Sequence, residues 1–422
     1  MQAASYSAVS GPITIVDIPD PVCPPGGVVL NVRATGICRS DWHAWQGHEE
    51  VALPHIGGHE YAGEIAEVSP GMTIFAVGDR VTVPFVCGCG ACDFCAAGDA
   101  QVCPNQHQPG FDLPGSFAEK VAVPSAEVNL VRLPDSVGFA EAAALGCRFA
   151  TAFRAVVAHG GLNPGDAASR VGTPGGGTFG PTPAGSPVCT PVCTPGGTTG
   201  GGTTGGGATG GGATGGTETW VAVHGCGGVG LSAIMIAVAL GARVVAIDVS
   251  DTALARAAAL GAEYTLNTAV HKARGKSAPG ITGSGKLALV REMSTPQGIG
   301  DAVRELTGGG CHLSIDALGS AATATASVYC LRRRGRHIQV GLLHGAAVHP
   351  PLPMDRVIGW ELEILGSHGM SARDYPAMLD MVVSGQLRPA DLVTRTIGLG
   401  GIGAALTAMS SPGSDGMTIA IP

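Results

Sequence analysis

The chain has 422 residues, of which 45% are hydrophobic and 13% charged, and this length and composition predict two or three domains with ordinary cores. Its formal net charge of −8 excludes the basic surface that nucleic acids and anionic membranes require. We therefore expect a small-molecule partner, with no nucleic acid and no membrane. The 68 glycines and 13 cysteines are both unusually many, so their positions need an explanation.

The start of the chain and its longest apolar stretch bear on localisation. Residues Met1 to Pro12 lack a cationic start followed by an apolar run, so they do not have the pattern of a secretory signal. The stretch from Val221 to Ala242 carries five glycines and a histidine and changes from a strand-like to a helix-like pattern midway, which disfavours a membrane span. A cytoplasmic protein is predicted, and disulfides between its cysteines are not expected.

The first candidate site follows a strand-like run from Val28 to Ala34. It combines a thiol, a hydroxyl, two carboxylates and two imidazoles. In chain order these are Cys38, Ser40, Asp41, His43, His59 and Glu60. A catalytic zinc needs a thiolate, an imidazole, a carboxylate that orients the imidazole, and a hydroxyl near the open position. The set as a whole predicts such a metal site, although each residue alone is more often a packing residue.

A second set of thiols lies on a short loop rich in glycine and alanine. Cys89, Cys92, Cys95 and Cys103 have the spacing Cys-x2-Cys-x2-Cys-x7-Cys. Four thiolates on one short loop can form a tetrahedron around zinc, and the small residues between them let the backbone curl about the ion. A structural zinc site is predicted, with four unrelated thiols as the alternative. Cys87 lies just outside the pattern and is not included.

The glycine excess is concentrated in one segment, since 19 of the 68 glycines lie between residues 168 and 217. The segment holds one charge, Arg170, and no periodic apolar pattern, so it cannot bury enough surface to offset the entropy of ordering. It is interpreted as a flexible loop. Cys189 and Cys193 within it have no histidine or second cysteine pair nearby, and they are not read as a metal site.

A nucleotide-binding motif follows this segment. Gly225, Gly227 and Gly230 give G-x-G-x-x-G, with Gly228 inside the same turn. The elements predicted around it are a strand from Val221, a helix from Leu231 to Leu240 and a strand from Arg243 to Ile247. Asp248 ends the second strand, where a carboxylate can bind both ribose hydroxyls of an adenosine and repel a 2′-phosphate. This predicts NAD rather than NADP, unless Asp248 is an ordinary solvated loop residue.

The rest of the chain completes the prediction. A second segment of little pattern, from about residue 271 to 300, is read as another insertion. The run from Gly335 to Gly341 is predicted to be a late strand of the nucleotide-binding sheet that ends in a glycine turn. The strands and helix from about Gly366 onwards are expected to return to the first domain.

Several motifs in a fixed order make the chain resemble the zinc-dependent medium-chain alcohol dehydrogenases. They are Gly36 to Asp41, Gly57 to Glu60, the four-cysteine loop, Leu145-Gly-Cys147 and the glycine motif. The resemblance implies an α/β fold with two domains. One is a GroES-like, β-barrel-type catalytic domain made of residues 1–150 and 366–422. The other is a Rossmann domain with a doubly wound parallel sheet, residues 151–365, interrupted by the insertions at about 168–217 and 271–300.

The resemblance also implies how the first candidate site works. Cys38, His59 and Cys147 would be the protein ligands of the catalytic zinc and leave its fourth position open. Cys147 is assigned from the resemblance alone, because its spacing does not single it out. Asp41 would be bonded to His59. Glu60 would lie near the metal as an occasional or outer ligand.

Further roles follow from the same resemblance. Ser40 would accept the proton of the alcohol, and His43 would pass it towards solvent unless the relay ends in water. Phe85 would be an aromatic residue of the substrate pocket, with simple core packing as the alternative. Arg39 would lie near the cofactor pyrophosphate and Thr151 near the nicotinamide.

Together these features predict an NAD-dependent alcohol dehydrogenase with two zinc ions per chain, which oxidises an alcohol to an aldehyde or ketone. A polyol or amino-alcohol dehydrogenase with the same machinery is the first alternative, and a zinc- and nucleotide-binding homologue without turnover is the second. A homodimer or homotetramer is expected from the resemblance. The insertions are either natural surface loops or wrongly retained non-coding sequence.

Overall fold

The computed structural model describes residues 1–163, 218–269, 281–282, 293–410 and 416–422. The predicted insertion at 168–217, with Cys189 and Cys193, lies outside the described residues, as does most of the second insertion. The strands are β1 (Gln2–Ser5), β2 (Thr14–Asp17), β3 (Val28–Ile37), β4 (Glu60–Val68), β5 (Arg80–Thr82), β6 (Lys120–Val123), β7 (Val131–Arg132), β8 (Trp220–His224), β9 (Arg243–Asp248), β10 (Tyr264–Asn267), β11 (Ile281–Thr282), β12 (Cys311–Asp316), β13 (Leu331–Gln339), β14 (Glu363–Gly366), β15 (Val393–Gly398) and β16 (Met417–Ile421).

Helices connect these strands. The α-helices are Arg39–Trp45, Asp93–Ala97, Ala126–Asn129, Phe139–Ala144, Ala150–Arg154, Gly228–Ala239, Asp251–Ala259, Pro296–Leu306, Ala321–Tyr329, Met354–Trp360, Tyr375–Val383 and Ile402–Ala408. Two π-helical turns, Leu145–Phe149 and Ala155–His159, interrupt the helical segment that follows β7. No helix in the described ranges is long and apolar enough to cross a membrane.

One sheet of the described residues combines the two ends of the chain. Its strand order is β15-β16-β3-β4-β5-β7, and β6 also pairs with β3. The pairings are antiparallel apart from that of β15 with β16. Apolar side chains of β3, β4 and β6, among them Leu30, Tyr61 and Val121, form a core against one face of this sheet. The C-terminal strand β16 closes directly on β3, which is the strand that leads into Cys38.

The second sheet has the order β11-β10-β9-β8-β12-β13-β14 and is parallel except for β11. Every residue of β8 is buried, as expected for a central strand that is covered on both faces. The order of strands reverses between β8 and β12, because β9 and β10 continue on one side of β8 and β12 to β14 on the other. Open sheets of this kind bind ligands at the carboxyl ends of the strands beside such a reversal.

A continuous core joins the two sheets. It includes Ala34 of β3, Ala62 of β4, Phe149 of the first π-turn, Val223 of β8 and Ile234 of the helix Gly228–Ala239. The segment from Phe139 to His159 therefore lies between the two parts, packing on β3 and β4 of the first sheet and on the helix Gly228–Ala239 beside the second. Cys147, Arg148 and Thr151 of this segment line the cleft where the two parts of the molecule meet.

Most predicted elements are present, with different ends. Strand β3 continues beyond Ala34 to Ile37, and β13 begins at Leu331 rather than Gly335. The helix Pro296–Leu306 begins inside the range interpreted as a second insertion of little pattern, so the last residues of that range are helical. The Thr295 hydroxyl accepts from the Gly298 N–H and Pro296 occupies the first turn, which together favour a helix start there.

Candidate active site and metal centres

A cleft with a volume of about 570 Å³ runs between the two sheets. One end is lined by residues that follow β3 and precede β4, and the other end by the glycine turn after β8. The described lining includes Cys38, His59, Cys147, Gly225 and Asp248. The cleft therefore places the first predicted metal set and the predicted nucleotide motif in one cavity.

Four side chains with metal-binding atoms meet at one end of the cleft. The ligand atoms of Cys38, His59, Glu60 and Cys147 all lie within 4.8 Å of one another. Cys38 directly follows β3, His59 directly precedes β4, and these two strands are antiparallel neighbours, which brings the two residues together. Cys147 comes from the π-turn Leu145–Phe149, a widened helical turn of the kind often found at functional sites.

His59 is oriented by Asp41. Its Nδ1 lies 2.8 Å from Asp41 Oδ1, so Nδ1 donates, and the lone pair of Nε2 is left free. Asp41 also accepts the backbone N–H of Cys38 at 2.8 Å and that of Gly58 at 3.1 Å. His59 Nε2 is fully buried and has no hydrogen-bond partner among the described residues. A buried imidazole nitrogen aimed at two thiols fits a metal ligand, so these residues fit a zinc ion.

The charges of this cluster also suit a cation. Burial lowers the pKa of His59, but the Asp41 carboxylate and the Cys38 thiolate outweigh it and hold that pKa well above its usual value. A hydrogen bond from Cys147 lowers the pKa of Cys38 well below its usual value, while the same contact and burial raise the pKa of Cys147. The first proton on the thiol pair is therefore lost readily, and a divalent cation would supply the charge that removes the second.

Glu60 is held by an arginine that the sequence interpretation missed. Its Oε1 accepts the backbone N–H of Arg148 at 3.0 Å and the Nε–H at 2.9 Å, and its Oε2 accepts from Nη2. The side chain of Glu60 is fully buried and that of Arg148 is 7% exposed. The one signal of Arg148 was its position, because it is the only charged residue between Ala142 and Phe153 and directly follows Cys147.

The two residues predicted to relay the proton line the same cleft. Ser40 and His43 are both on the helix Arg39–Trp45, and both line the cavity. His43 is half-buried, and its Nδ1 lies 2.8 Å from Nδ1 of the exposed His48. Arg39 lies over the Trp42 ring, with 4.9 Å between the guanidinium carbon and the ring centroid, and its Nη1 donates to the Met409 carbonyl.

Aromatic side chains form the wall next to the metal set. Phe85 is buried and lines the cleft, with its ring centroid 6.0 Å from that of His59. Phe111 approaches the same imidazole at 5.1 Å, and His368 packs edge-on against Phe85 at 5.1 Å. Thr151, one turn after Cys147, is buried and lines the same cavity. Phe111 and His368 carried no signal in the sequence, because each comes from a loop distant along the chain.

The four-cysteine loop has the geometry expected of a structural site. The Sγ atoms of Cys89, Cys92, Cys95 and Cys103 all lie within 4.8 Å of one another. Backbone N–H groups donate to them, including that of Asn105 to Cys103 Sγ at 3.3 Å. Hydrogen bonds to its sulfur, first from the Ala91 N–H, lower the pKa of Cys89 to about 6. These thiols fit a second zinc ion.

The glycine turn has the shape that a dinucleotide requires. Gly225 has φ +89°, a conformation that favours glycine. A Cβ at Gly230 would overlap the Gly225 carbonyl oxygen, whereas one at Gly227 would meet nothing within 4 Å and would project into open space. The helix begins at Gly228, so its N–H groups are free to face a phosphate.

Asp248 is held beside this turn by the backbone. Its Oδ2 accepts the N–H of Cys226 at 2.6 Å, and its Oδ1 accepts the N–H groups of Val249 and Ser250 at 2.7 and 2.9 Å. These bonds fix the carboxylate at the end of β9, where it lines the cleft. Asp248 is therefore held in the wall of the cleft by hydrogen bonds from the backbone.

Two family models match the chain. Residues 24–135 match the alcohol dehydrogenase GroES-like domain, and residues 228–384 match the zinc-binding dehydrogenase domain. An alcohol dehydrogenase of Geobacillus stearothermophilus is 27% identical over 92% of this chain and 90% of its own length. An NAD-dependent alcohol dehydrogenase of Sulfurisphaera tokodaii is 26% identical over 94% and 93%.

Solved structures agree with these matches. The crystal structure of an NAD-dependent alcohol dehydrogenase has a TM-score of 0.73 and 26% identity, and it covers 100% of both chains. The alcohol dehydrogenase TADH from Thermus sp. ATN1 has a TM-score of 0.75 over 100% of this chain and 99% of its own, and at 24% identity it shows the fold. The fold and site thus define a zinc-binding dehydrogenase. The chain belongs to the zinc-dependent medium-chain alcohol dehydrogenase family.

The family, the α/β fold class with GroES-like and Rossmann parts, and the class of enzyme predicted from the sequence are therefore confirmed. The protein is an oxidoreductase of the alcohol dehydrogenase type that acts on a small molecule, and zinc and NAD are its cofactors.

Proposed function

We propose that the protein oxidises an alcohol to an aldehyde or ketone, with zinc at the Cys38, His59 and Cys147 set and NAD in the same cleft. The observation that carries this proposal is the buried Nε2 of His59, which has no hydrogen-bond partner in the part of the chain that the structure describes and lies beside two thiols in a cavity that also holds the glycine turn. A metal ligand and a nucleotide site in one cavity support hydride transfer rather than hydrolysis.

Zinc bound to these residues would polarise the oxygen of the substrate and make its hydroxyl more acidic. The chain's own contribution is to hold the ligands in place. Asp41 accepts a hydrogen bond from His59 Nδ1 and so fixes the tautomer of that imidazole. Asp41 also accepts the backbone N–H of Cys38, which fixes the backbone where the helix Arg39–Trp45 begins. Glu60 stays an outer residue in this proposal, because both of its carboxylate oxygens are already bonded to Arg148.

The proton of the alcohol leaves through side chains at the cleft mouth. Ser40 lines the cavity and carries a hydroxyl that can both accept and donate, so it can receive the proton. His43 lies on the same helix towards solvent and takes the proton onward. This order keeps charge from building up beside the buried thiolates.

The glycine turn and Asp248 bind the dinucleotide. The N–H groups at the start of the helix Gly228–Ala239 would hold the pyrophosphate, Arg39 would add a cation nearby, and Asp248 would receive the ribose hydroxyls. Thr151, which lines the same cleft, would orient the nicotinamide. The bound NAD would accept the hydride. The fixed carboxylate favours NAD over NADP, since it would repel a 2′-phosphate.

The substrate contacts Phe85 on the metal side of the cleft. A polyol or amino alcohol is the second candidate, because Glu49, Gln108 and His368 add polar groups to the lining. A sorbitol dehydrogenase of Halalkalibacterium halodurans is also 25% identical over 91% of this chain and 89% of its own length. Related chains thus include an enzyme named for a polyol.

Domain organisation, assembly and location complete the proposal. The catalytic domain comprises residues 1–150 and 366–422, the Rossmann domain residues 151–365, and the four-cysteine loop holds the second zinc. A homodimer or homotetramer is supported by an edge strand of the described sheet, β14, in which Ile364 is 37% exposed, and by Ile358 of the preceding helix, which is 75% exposed. A cytoplasmic location accords with the many thiols in this chain.

A panel of simple alcohols, polyols and amino alcohols with NAD tests the proposal through the absorbance of NADH. Turnover of a simple alcohol is expected, and turnover of a polyol or amino alcohol alone would favour the second candidate. Zinc and NAD binding without turnover of any member would instead indicate a non-catalytic homologue. Peptide mapping of the purified native protein decides whether the inserted segments are present.

A further inference from the structure

His48 lies just after the helix that carries Ser40 and His43, and its position is fixed by the backbone. Gly47 adopts φ +74°, and the His48 N–H donates to the His43 carbonyl oxygen at 2.9 Å while the Gly47 N–H donates to Ala44 at 3.1 Å. A glycine that ends a helix in this way turns the next residue back over the last turn. The two histidines are therefore neighbours because of the helix end and not because of chance side-chain rotation.

The two imidazoles share one hydrogen bond through like atoms. His43 Nδ1 and His48 Nδ1 lie 2.8 Å apart, so one ring donates and the other accepts. When His43 donates from Nδ1, its Nε2 carries a free lone pair, and His48 bears its own proton on Nε2. Trp42 packs edge-on against both rings, at 5.0 Å from His43 and 5.4 Å from His48, and holds them in this pairing.

The groups around His43 disfavour a proton that stays there. The pKa of His43 is lowered to about 4. Burial is the largest cause, followed by the neighbouring His344 and His48 imidazoles and the Arg39 guanidinium. The ring of His344 lies 4.8 Å from that of His43. Glu49 also lines the cleft, and burial raises its pKa. A proton that reaches His43 thus needs a next acceptor, and His48 is exposed to water.

We propose that His48 is the exit of the proton path, taking the alcohol proton from His43 and releasing it to solvent. An N–H bond forms at His43 Nε2 as the proton arrives, and the Nδ1–H bond of His43 breaks as that proton moves to His48 Nδ1. His48 then loses its Nε2 proton to water. The net reaction remains alcohol plus NAD⁺ to carbonyl, NADH and one proton, and both rings regain their tautomers by exchange with water between turnovers.

This inference rests on the proposed function, and its test separates the two. The variants are His48→Ala and His48→Gln, with His349→Ala, an exposed histidine outside the ring cluster of His43, His48 and His344, as the matched control. At neutral pH the His48 variants should lose about tenfold in kcat, less than the roughly 10²- to 10⁴-fold typical of a direct general acid or base. The KM for NAD and the zinc content should be unchanged. The loss should shrink as the pH rises, because hydroxide can take the proton from His43.

Added imidazole should restore most of the lost rate of His48→Ala, whereas His349→Ala should behave as the parent enzyme. A loss that is the same at every pH and that imidazole does not restore would show a structural role and overturn the proposal, as would no loss at all. A parent enzyme without turnover would instead contradict the proposed function.

A measurement without substrate gives an independent readout. Nitrogen-15 spectra of the histidine rings should show one proton shared between the two Nδ1 atoms in the parent protein and its loss in His48→Gln. Two rings with no shared proton would also overturn the proposal.

Discussion

Replacing Arg148 with methionine tests whether the buried ion pair with Glu60 organises the site. The change removes a cation and two side-chain hydrogen bonds while keeping an unbranched apolar side chain. Glu60 would keep the Arg148 backbone N–H as a donor but would lose its counter-charge in a fully buried position.

The magnitude follows from that burial. Removing one partner of a buried ion pair costs about 3–5 kcal/mol, since the remaining charge is left in a low-dielectric interior. Burial raises the pKa of Glu60, and Arg148 opposes this rise. Without Arg148 the carboxyl group should therefore take up a proton more readily. The deficit of the variant should shrink as the pH is lowered, because a protonated Glu60 carries no charge to leave unpaired.

The assay is chemical unfolding of four proteins at several pH values with zinc present. Arg148→Met should lose about 3–5 kcal/mol, and the double variant Arg148→Met with Glu60→Gln should regain most of it, because both charges are gone. Arg33→Met is the matched control. Arg33 pairs with Glu64 at 2.6 Å on the surface with half of its side chain exposed, so its loss should cost no more than about 1 kcal/mol.

Two results would refute this reasoning. A cost for Arg148→Met as small as that of Arg33→Met would mean that the buried pair contributes no more than a surface pair. A double variant that is less stable than Arg148→Met alone would mean that the two residues do not act on each other.

Three further predictions follow from single groups. Gly230→Ala should lower both stability and NAD affinity, because its Cβ would overlap the Gly225 carbonyl oxygen. Gly227→Ala should fold normally and lose only NAD affinity, because its Cβ would meet nothing within 4 Å. Thermal unfolding and cofactor titration distinguish the two variants. Asp248→Asn should raise the KM for NAD and lower that for NADP, and an unchanged ratio would remove Asp248 from the ribose site. Burial lowers the pKa of His337 from 6.5 to about 4. As the pH falls, the unfolded chain therefore protonates this imidazole before the folded chain does. About 3 kcal/mol of stability should be lost between about pH 6.5 and 4. The variant His337→Gln should lack that part of the acid dependence, and an unchanged acid dependence would contradict the assignment.

The sequence predicted those parts of the site that depend on local spacing. The glycine turn needs particular backbone conformations at fixed offsets, so Gly225 and Gly230 are recognisable from their spacing alone. The four-cysteine loop is recognisable for the same reason, since its ligands lie within one loop. Cys147 was found through a resemblance and not through spacing, because it meets Cys38 only when a distant helical segment packs between the sheets.

The groups that were missed depend on tertiary contacts. Arg148 finds Glu60 across 88 positions of the chain, and no local pattern connects them. The π-turn that presents Cys147 looks like ordinary alanine-rich helix in sequence. The helix Pro296–Leu306 was partly assigned to an insertion because its start follows a stretch without apolar periodicity, although Thr295 and Pro296 are ordinary start signals.

The central claim, that Cys38 holds a catalytic zinc separate from the ion of the four-cysteine loop, is tested most directly by measuring zinc content together with NAD reduction. The proteins to compare are the parent, Cys38→Ser and the control Cys23→Ser. The half-buried thiol of Cys23 lies outside both metal sets. The parent and Cys23→Ser should each hold two zinc ions and oxidise an alcohol. Cys38→Ser should keep the ion of the four-cysteine loop, lose the other and lose turnover. A Cys38→Ser protein that still holds two zinc ions and turns over alcohol as the parent does would contradict the account.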